Sequence, residues 1–75
     1  MNIYDRIVGE KIKEYRLGKK MTLRETASVF GVAKSTIFSY ENGTRGMPVE
    51  MLIKMLNYYD IDANLFIAEC LKEAE

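Results

Sequence analysis

The chain has 75 residues, of which 48% are hydrophobic and 29% charged, a composition that predicts one small globular domain over residues 1–75. Eleven basic residues balance eleven acidic ones, there is no histidine, and the single cysteine has no intrachain partner. These counts exclude an intrachain disulfide and a His/Cys metal cluster, the charged N-terminus excludes a signal peptide, and no apolar run approaches the roughly 18 residues of a membrane span. We therefore predict a soluble cytoplasmic protein without metal or cofactor.

The charges are unevenly distributed along the chain. Up to Gly46 there are nine Lys or Arg and five Asp or Glu, a net charge of +4, whereas from Met47 onward there are two and six, a net charge of −4. A basic half is typical of a surface that binds phosphate groups, with the acidic half directed away. The alternative is a solvated surface whose charges are uneven without a function.

The first predicted helix extends from about Ile3 to Leu17, and Gly18 is expected to end it. Apolar side chains recur along it at intervals of three and four residues, which predicts one buried face. The residues of that face are Tyr4, Val8, Ile12 and Tyr15.

The second predicted helix begins at Thr22, which forms a capping box with Glu25. Its mostly apolar face comprises Leu23, Ala27 and Phe30, with Thr26 beside them. Gly31 ends the helix because glycine readily adopts the left-handed conformation of a sharp corner. Lys19 and Lys20 precede this helix, so their ammonium groups, the free N–H groups and the positive end of the helix dipole predict a phosphate-binding site.

A third predicted helix follows the corner and ends at residues 41–43, where Asn42 or Gly43 supplies a left-handed cap. On a helical wheel Ile37 lies at the centre of the buried face, with Ala33 and Tyr40 near it. The opposite face is small and polar, and comprises Ser35, Ser39 and Asn42, flanked by Lys34, Thr36 and Phe38. We therefore expect one face of this helix to be buried and the other to be exposed.

Residues 22–43, TLRETASVFGVAKSTIFSYENG, resemble the helix-turn-helix of the phage repressor and Cro (XRE-like) family. The spacing places the small Ala27 where two helices cross, Gly31 at the corner and Ile37 in the core. The resemblance implies an all-α fold, a compact five-helix bundle of the lambda-repressor-like DNA-binding type. In that fold helices 2 and 3 form the helix-turn-helix, and helix 3 enters the major groove of DNA.

Residues 9–16, GEKIKEYR, resemble the first helix of the same family. An arginine at the place of Arg16 pairs there with a glutamate at the place of Glu41, so we expect Arg16 to be structural rather than a DNA contact. Two residues depart from the family pattern. Ala33 stands where a serine or threonine commonly caps the recognition helix and touches a phosphate, and Thr26 stands where leucine is common.

The remaining chain predicts two further helices. Pro48 suits the first turn of helix 4, whose inward residues are Leu52, Met55, Leu56 and Tyr59, a spacing more typical of core packing than of a cofactor site. Asp62 caps helix 5, predicted from residue 63 to about 73. Helix 5 has an apolar surplus comprising Ile67, Cys70 and Leu71. This surplus predicts either a dimerisation face or a helix folded wholly into the core, and the family's use of its last helix favours a homodimer.

The residues expected to read DNA bases are Lys34, Ser35, Phe38 and Ser39. Lys34 can donate to guanine, and the serines discriminate weakly. Phe38 either presses on a thymine methyl or packs against the loop or the first helix. The expected phosphate contacts are Lys19, Lys20, Thr22, Arg24, Asn42, Thr44 and Arg45. For Arg45 a solvated loop position is the alternative.

These features predict a sequence-specific DNA-binding transcription regulator of the repressor type, which binds a palindromic operator in double-stranded DNA as a homodimer. An antitoxin or another protein-interaction module built on the same domain is the alternative. An enzyme is disfavoured because the chain has no histidine, Cys70 lies in an apolar helix, and no acidic pair accompanies a nucleophile or a phosphate loop.

Overall fold

The computed structural model describes residues 2–75, which form five α-helices. The helices are α1 (Ile3–Gly18), α2 (Leu23–Phe30), α3 (Lys34–Asn42), α4 (Val49–Tyr58) and α5 (Ala63–Glu73). The predicted all-α, five-helix fold is confirmed. Among residues 2–75, no helix has the length and apolarity needed to cross a membrane.

Side-chain hydrogen bonds cap the N-terminal ends of α2 and α5. The capping box at α2 is present: the Thr22 hydroxyl accepts the Glu25 N–H at 3.0 Å, and the Thr22 N–H donates to the Glu25 carboxylate at 2.9 Å. Asp62 caps α5 by accepting the Leu65 N–H at 2.9 Å. Ala33 precedes α3 and makes no side-chain capping hydrogen bond. The cap that a serine or threonine would supply at this position is therefore absent, as the sequence predicts.

Residues in the left-handed conformation follow α1, α2 and α3. Gly31 at φ 68° and Gly43 at φ 77° follow α2 and α3 as predicted. Helix α1 ends at Gly18 as predicted, and the chain then turns at Lys20, at φ 57°. There the Met21 N–H donates to the Arg16 carbonyl and the Lys20 N–H to the Leu17 carbonyl, which is the Schellman pattern with lysine at the left-handed position.

Two clusters of buried side chains hold the five helices together. The first unites α1, α2, α3 and α4, and comprises Ile12, Ala27, Ile37, Tyr40, Met55 and Tyr59. The second attaches α5 to α1 and α4, and comprises Ile7, Leu56, Phe66 and Cys70. Thr26 is also completely buried, and its hydroxyl donates to the Thr22 carbonyl at 2.9 Å. The helix pair α2–α3 is therefore supported by its neighbours.

The buried face of α1 differs from the predicted one. Tyr4 is 49% exposed, whereas Ile7 is buried. Ile7 packs against Leu56 of α4 and against Phe66 and Cys70 of α5, which decides the buried side of this turn. Gly9 faces α3 so closely that a Cβ atom would lie 2.2 Å from the Tyr40 carbonyl oxygen. Ala33, predicted near the buried face of α3, is likewise exposed because it precedes the first helical turn.

Helices α1 and α5 are also joined by charged side chains. The Lys11 ammonium lies 3.3 Å from the Glu69 carboxylate and also contacts the Glu73 carboxylate. The contact with Glu73, together with the weaker contact with Glu69, raises the pKa of Lys11 above its ordinary value. Lys11 therefore stays charged and links the first helix to the last.

Candidate nucleic-acid interface

The predicted base-reading side chains lie on the outer face of α3. The inner face is held by Ile37, which is completely buried, and by the buried Tyr40 and Glu41. Lys34, Ser35 and Phe38 are exposed, with Phe38 at 56%, and Ser39 is half-buried. These side chains form a protruding surface on a helix whose other side is fixed in the core.

A buried ion pair fixes the C-terminal half of α3. Arg16 Nε donates to Glu41 Oε2 at 2.6 Å, and Arg16 Nη2 donates to Glu41 Oε1 at 3.0 Å. Arg16 Nη1 also donates to the Met21 carbonyl at 2.8 Å, which ties the pair to the loop before α2. The hydrogen bonds to Glu41 raise the pKa of Arg16, which is only 7% exposed. The predicted ion pair is present, and the Arg16 side chain is almost wholly enclosed by the protein.

The N-terminal ends of α2 and α3 meet at a surface concavity of about 390 Å³. Its lining side chains are Thr22, Leu23, Arg24 and Lys34. Three predicted DNA contacts are thus brought together, at the positive ends of two helix dipoles. Lys19 and Lys20 are exposed in the loop before α2 but are not part of this lining.

The capping box modifies the phosphate site predicted at α2. The Thr22 N–H already donates to the Glu25 carboxylate, and this backbone hydrogen bond lowers the pKa of Glu25. The Glu25 carboxylate therefore already provides a negative charge at this helix N-terminus. Cationic side chains such as Arg24, more than the Thr22 N–H, are left to attract a phosphate group.

The loop after α3 contains a second group of predicted DNA contacts, which interactions within the protein hold in place. The Asn42 side-chain oxygen accepts from the Thr44 N–H at 3.0 Å and from the Thr44 hydroxyl at 2.7 Å. The Arg45 N–H donates to the Ser39 carbonyl at 3.3 Å, and its guanidinium lies 5.7 Å from the centre of the Tyr40 ring. Arg45 is exposed but held beside α3 by a cation–π contact, rather than free in a solvated loop.

The predicted dimerisation residues of α5 separate into two groups. Ile67 and Leu71 are 51% and 57% exposed, whereas Cys70 is only 6% exposed and packs with Ile7 and Phe66. The expectation that Cys70 forms part of an outer face is wrong, because the helix turns this residue towards the core. Burial also raises the pKa of the Cys70 thiol, which disfavours the reactive thiolate.

Two close backbone contacts that position the site were not predicted. Gly9 lies against the Tyr40 and Glu41 carbonyl groups, and a Cβ atom on Gly43 would lie 2.7 Å from Arg6 Cα. Gly9 stands inside an otherwise regular amphipathic helix, where glycine is destabilising by roughly 0.5–1 kcal/mol relative to alanine. A glycine inside a helical pattern, where it is destabilising, is the sequence signal that could have indicated the close approach of another backbone.

The sequence of the chain matches a known domain family. The family model for a helix-turn-helix domain matches residues 9–69, which include both helices of the pair and the helices that support them. The chain belongs to this helix-turn-helix family. No solved structure matches the chain at a significant level.

Two curated relatives are similar to this chain. Over 65 residues it is 31% identical to the cryptic phage CTXphi transcriptional repressor RstR of Vibrio cholerae, covering 87% of this chain and 55% of that relative. Over 48 residues it is 38% identical to the uncharacterized HTH-type transcriptional regulator RghRB of Bacillus subtilis (strain 168), covering 64% of this chain and 34% of that relative. The chain thus spans between a third and just over half of the length of these relatives.

Proposed function

We propose that this chain is a sequence-specific DNA-binding domain of a transcriptional repressor, which inserts α3 into the major groove. The observation that supports this most directly is the exposure of Lys34, Ser35 and Phe38 on a helix whose opposite side is fixed by buried residues. A protruding helix of this kind fits the roughly 12 Å width of the major groove. The naming of two relatives as transcriptional regulators supports the same function.

Each exposed side chain has a distinct chemistry towards base edges. Lys34, at the first turn of α3, donates to guanine O6 and N7, while Ser35 accepts or donates with little discrimination. Phe38 offers an apolar contact to a thymine methyl group. Ser39 is half-buried and reaches DNA less easily than the other three.

The phosphate contacts lie in two groups at the two ends of α3. At the N-terminal end, Arg24 and Thr22 share a concavity with Lys34, and Lys19 and Lys20 are exposed nearby. At the C-terminal end Asn42, Thr44 and Arg45 form the ordered loop. Contacts of this type orient the protein on the duplex without reading sequence.

We further propose that two copies bind a palindromic operator in the cytoplasm and block transcription by occupying it. Ile67 and Leu71 remain exposed on α5, and apolar side chains at this exposure are suited to pack against a second copy. A symmetric pair would present two α3 helices to two inverted half-sites. The net charge of −4 after Met47 keeps the acidic half away from DNA phosphates in this arrangement.

The test is selection of bound duplexes from a random DNA pool. We expect a consensus of two inverted half-sites about 10–10.5 bp apart, or a multiple of that spacing. Lys34→Ala should change the preferred base at one position of each half-site, at about 1–3 kcal/mol, whereas Arg45→Ala should weaken binding to all sequences alike. Lys54→Ala, on the exposed face of α4, is the matched control and should change neither quantity.

The outcomes separate the parts of the proposal. A consensus with one half-site would contradict the dimer but not DNA binding. Enrichment that is identical for wild type and Lys34→Ala would contradict the assigned base contact. No enrichment at low salt would contradict DNA binding altogether and would favour a protein-interaction module, such as an antitoxin, built on the same domain.

A further inference from the structure

We propose that the groove between α1 and α3 is an additional site for the DNA backbone, in which Lys13 and Arg6 bind a phosphate group. This inference depends on the proposed function, because the groove lies beside the helix that is expected to enter DNA. It extends the contact surface to α1, whose residues were not predicted to touch DNA.

The groove follows the closest approach of the two helices. It has a volume of about 280 Å³ and is lined by Arg6, Glu10, Lys13, Phe38, Glu41 and Asn42. On α1 its lining residues are spaced by four and three positions, so they share one side of the helix. Gly9 lies on the same side of α1, where its missing side chain lets the backbones approach.

The groove continues the surface already assigned to DNA. Phe38 and Asn42, which line it, belong to the exposed face of α3, and Lys34 lies on the same side of that helix, one turn before Phe38. At 1.5 Å per residue the groove begins roughly 6 Å beyond Lys34 along α3. A duplex that contacted α3 from Lys34 to Asn42 would therefore lie beside this groove.

The charges inside the groove leave it positive. The Glu41 carboxylate is occupied by Arg16, and Arg6 Nε lies 3.9 Å from the Glu10 carboxylate. Lys13 is exposed and takes part in no ion pair among residues 2–75. With Glu41 paired to Arg16, two cations, Arg6 and Lys13, remain in the groove against one acid, Glu10. The groove therefore has a net charge of +1 whether or not Arg6 stays with Glu10, and an anion is the ligand that it attracts.

Arg6 adds a second donor to the same anion. Its pair with Glu10 is long, and the two side chains are 59% and 61% exposed. Such exposed pairs are weak and exchange partners readily. A phosphate group between Lys13 and Arg6 would therefore meet one ammonium and a guanidinium that can turn from Glu10 without a large cost.

The experiment measures the affinity of Lys13→Gln for the selected operator and for unrelated duplexes between 50 and 200 mM salt. Lys72→Gln, an exposed lysine on α5, is the matched control, and Lys13→Arg tests whether a cation restores binding. We expect Lys13→Gln to weaken binding to all sequences and to make the negative slope of log affinity against log salt shallower by about 1. Arg6→Gln should act in the same direction, and both Lys72→Gln and Lys13→Arg should retain the wild-type slope.

The result that overturns this inference alone is a wild-type slope for Lys13→Gln in a protein that binds its operator normally. A change confined to one base position would also overturn it, because a phosphate contact is independent of sequence. Failure of the wild-type chain to bind any duplex would instead overturn the proposed function, and this inference with it.

Discussion

Helix α1 has two junctions with its neighbours, and they are built differently. At α3 the backbones meet at Gly9, and the Arg16–Glu41 pair is enclosed, with side chains only 8% and 4% exposed. At α5 the Lys11 side chain is 13% exposed, but the two carboxylates that its ammonium contacts are 49% and 52% exposed. The same helix therefore holds the proposed recognition helix by buried contacts, and the proposed dimerisation helix partly by solvated ones.

This difference bears on how rigidly each helix is positioned. A buried charge that loses its partner costs several kcal/mol, whereas an exposed pair contributes about 0.2–1 kcal/mol. The orientation of α3 is thus determined by buried contacts that are costly to break. The contacts of α5 around Lys11 cost less to break, so α5 can move more easily there. A helix that reads base edges needs the first kind of support, because small displacements change which atoms its side chains reach.

The largest effect is expected from breaking the buried pair at the α3 junction. Glu41→Ala leaves the Arg16 guanidinium buried without its carboxylate and should lower the free energy of unfolding by about 3–5 kcal/mol. Urea unfolding followed by circular dichroism measures this. The control is Glu69→Ala at the other junction, where solvent replaces the carboxylate and a loss below about 1 kcal/mol is expected. Equal losses for the two variants would refute the contrast between the junctions.

The second effect, from overpacking the same junction, is expected to be somewhat smaller. In Gly9→Ala the new methyl group meets the Tyr40 and Glu41 carbonyl groups, which belong to the backbone and cannot turn aside. We expect a loss of about 3 kcal/mol, at the upper end of the usual range for overpacking. Gly18→Ala is the matched control, since it is also helical but has no atom within 4 Å of the new Cβ. It should stabilise the fold by roughly 0.5–1 kcal/mol.

The features that could be predicted from sequence are those encoded by neighbouring residues. The capping box at Thr22, the corner at Gly31 and the cap at Asp62 each depend on residues within one turn of one another. The Arg16–Glu41 pair spans 25 positions and was predicted only through the family resemblance. Interactions between neighbouring residues therefore predict the ends of the helices, whereas the family resemblance predicts one contact between two helices that are distant in sequence.

The features that could not be predicted depend on how separate helices pack. Tyr4 and Ile7 are both apolar and three residues apart, and only the packing of α4 and α5 against α1 decides which of them is buried. Cys70 and Leu71 are likewise adjacent apolar residues, and contact with α1 and α4 buries only the first. A helical wheel gives the width of an apolar stripe but not the line along which a partner covers it.

The smallest effect is expected at the α5 junction, in Lys11→Met. Methionine keeps an apolar stem of similar length, and Glu69 and Glu73 return to solvent, so the loss should be about 0.2–1 kcal/mol. Because the folded state raises the pKa of Lys11, its contribution is complete below the ordinary lysine pKa and fades only as pH rises through the raised value. The difference in unfolding free energy between wild type and Lys11→Met should therefore be the same at pH 7 and pH 9. A loss as large as that of Glu41→Ala would mean that α5 is held as firmly as α3.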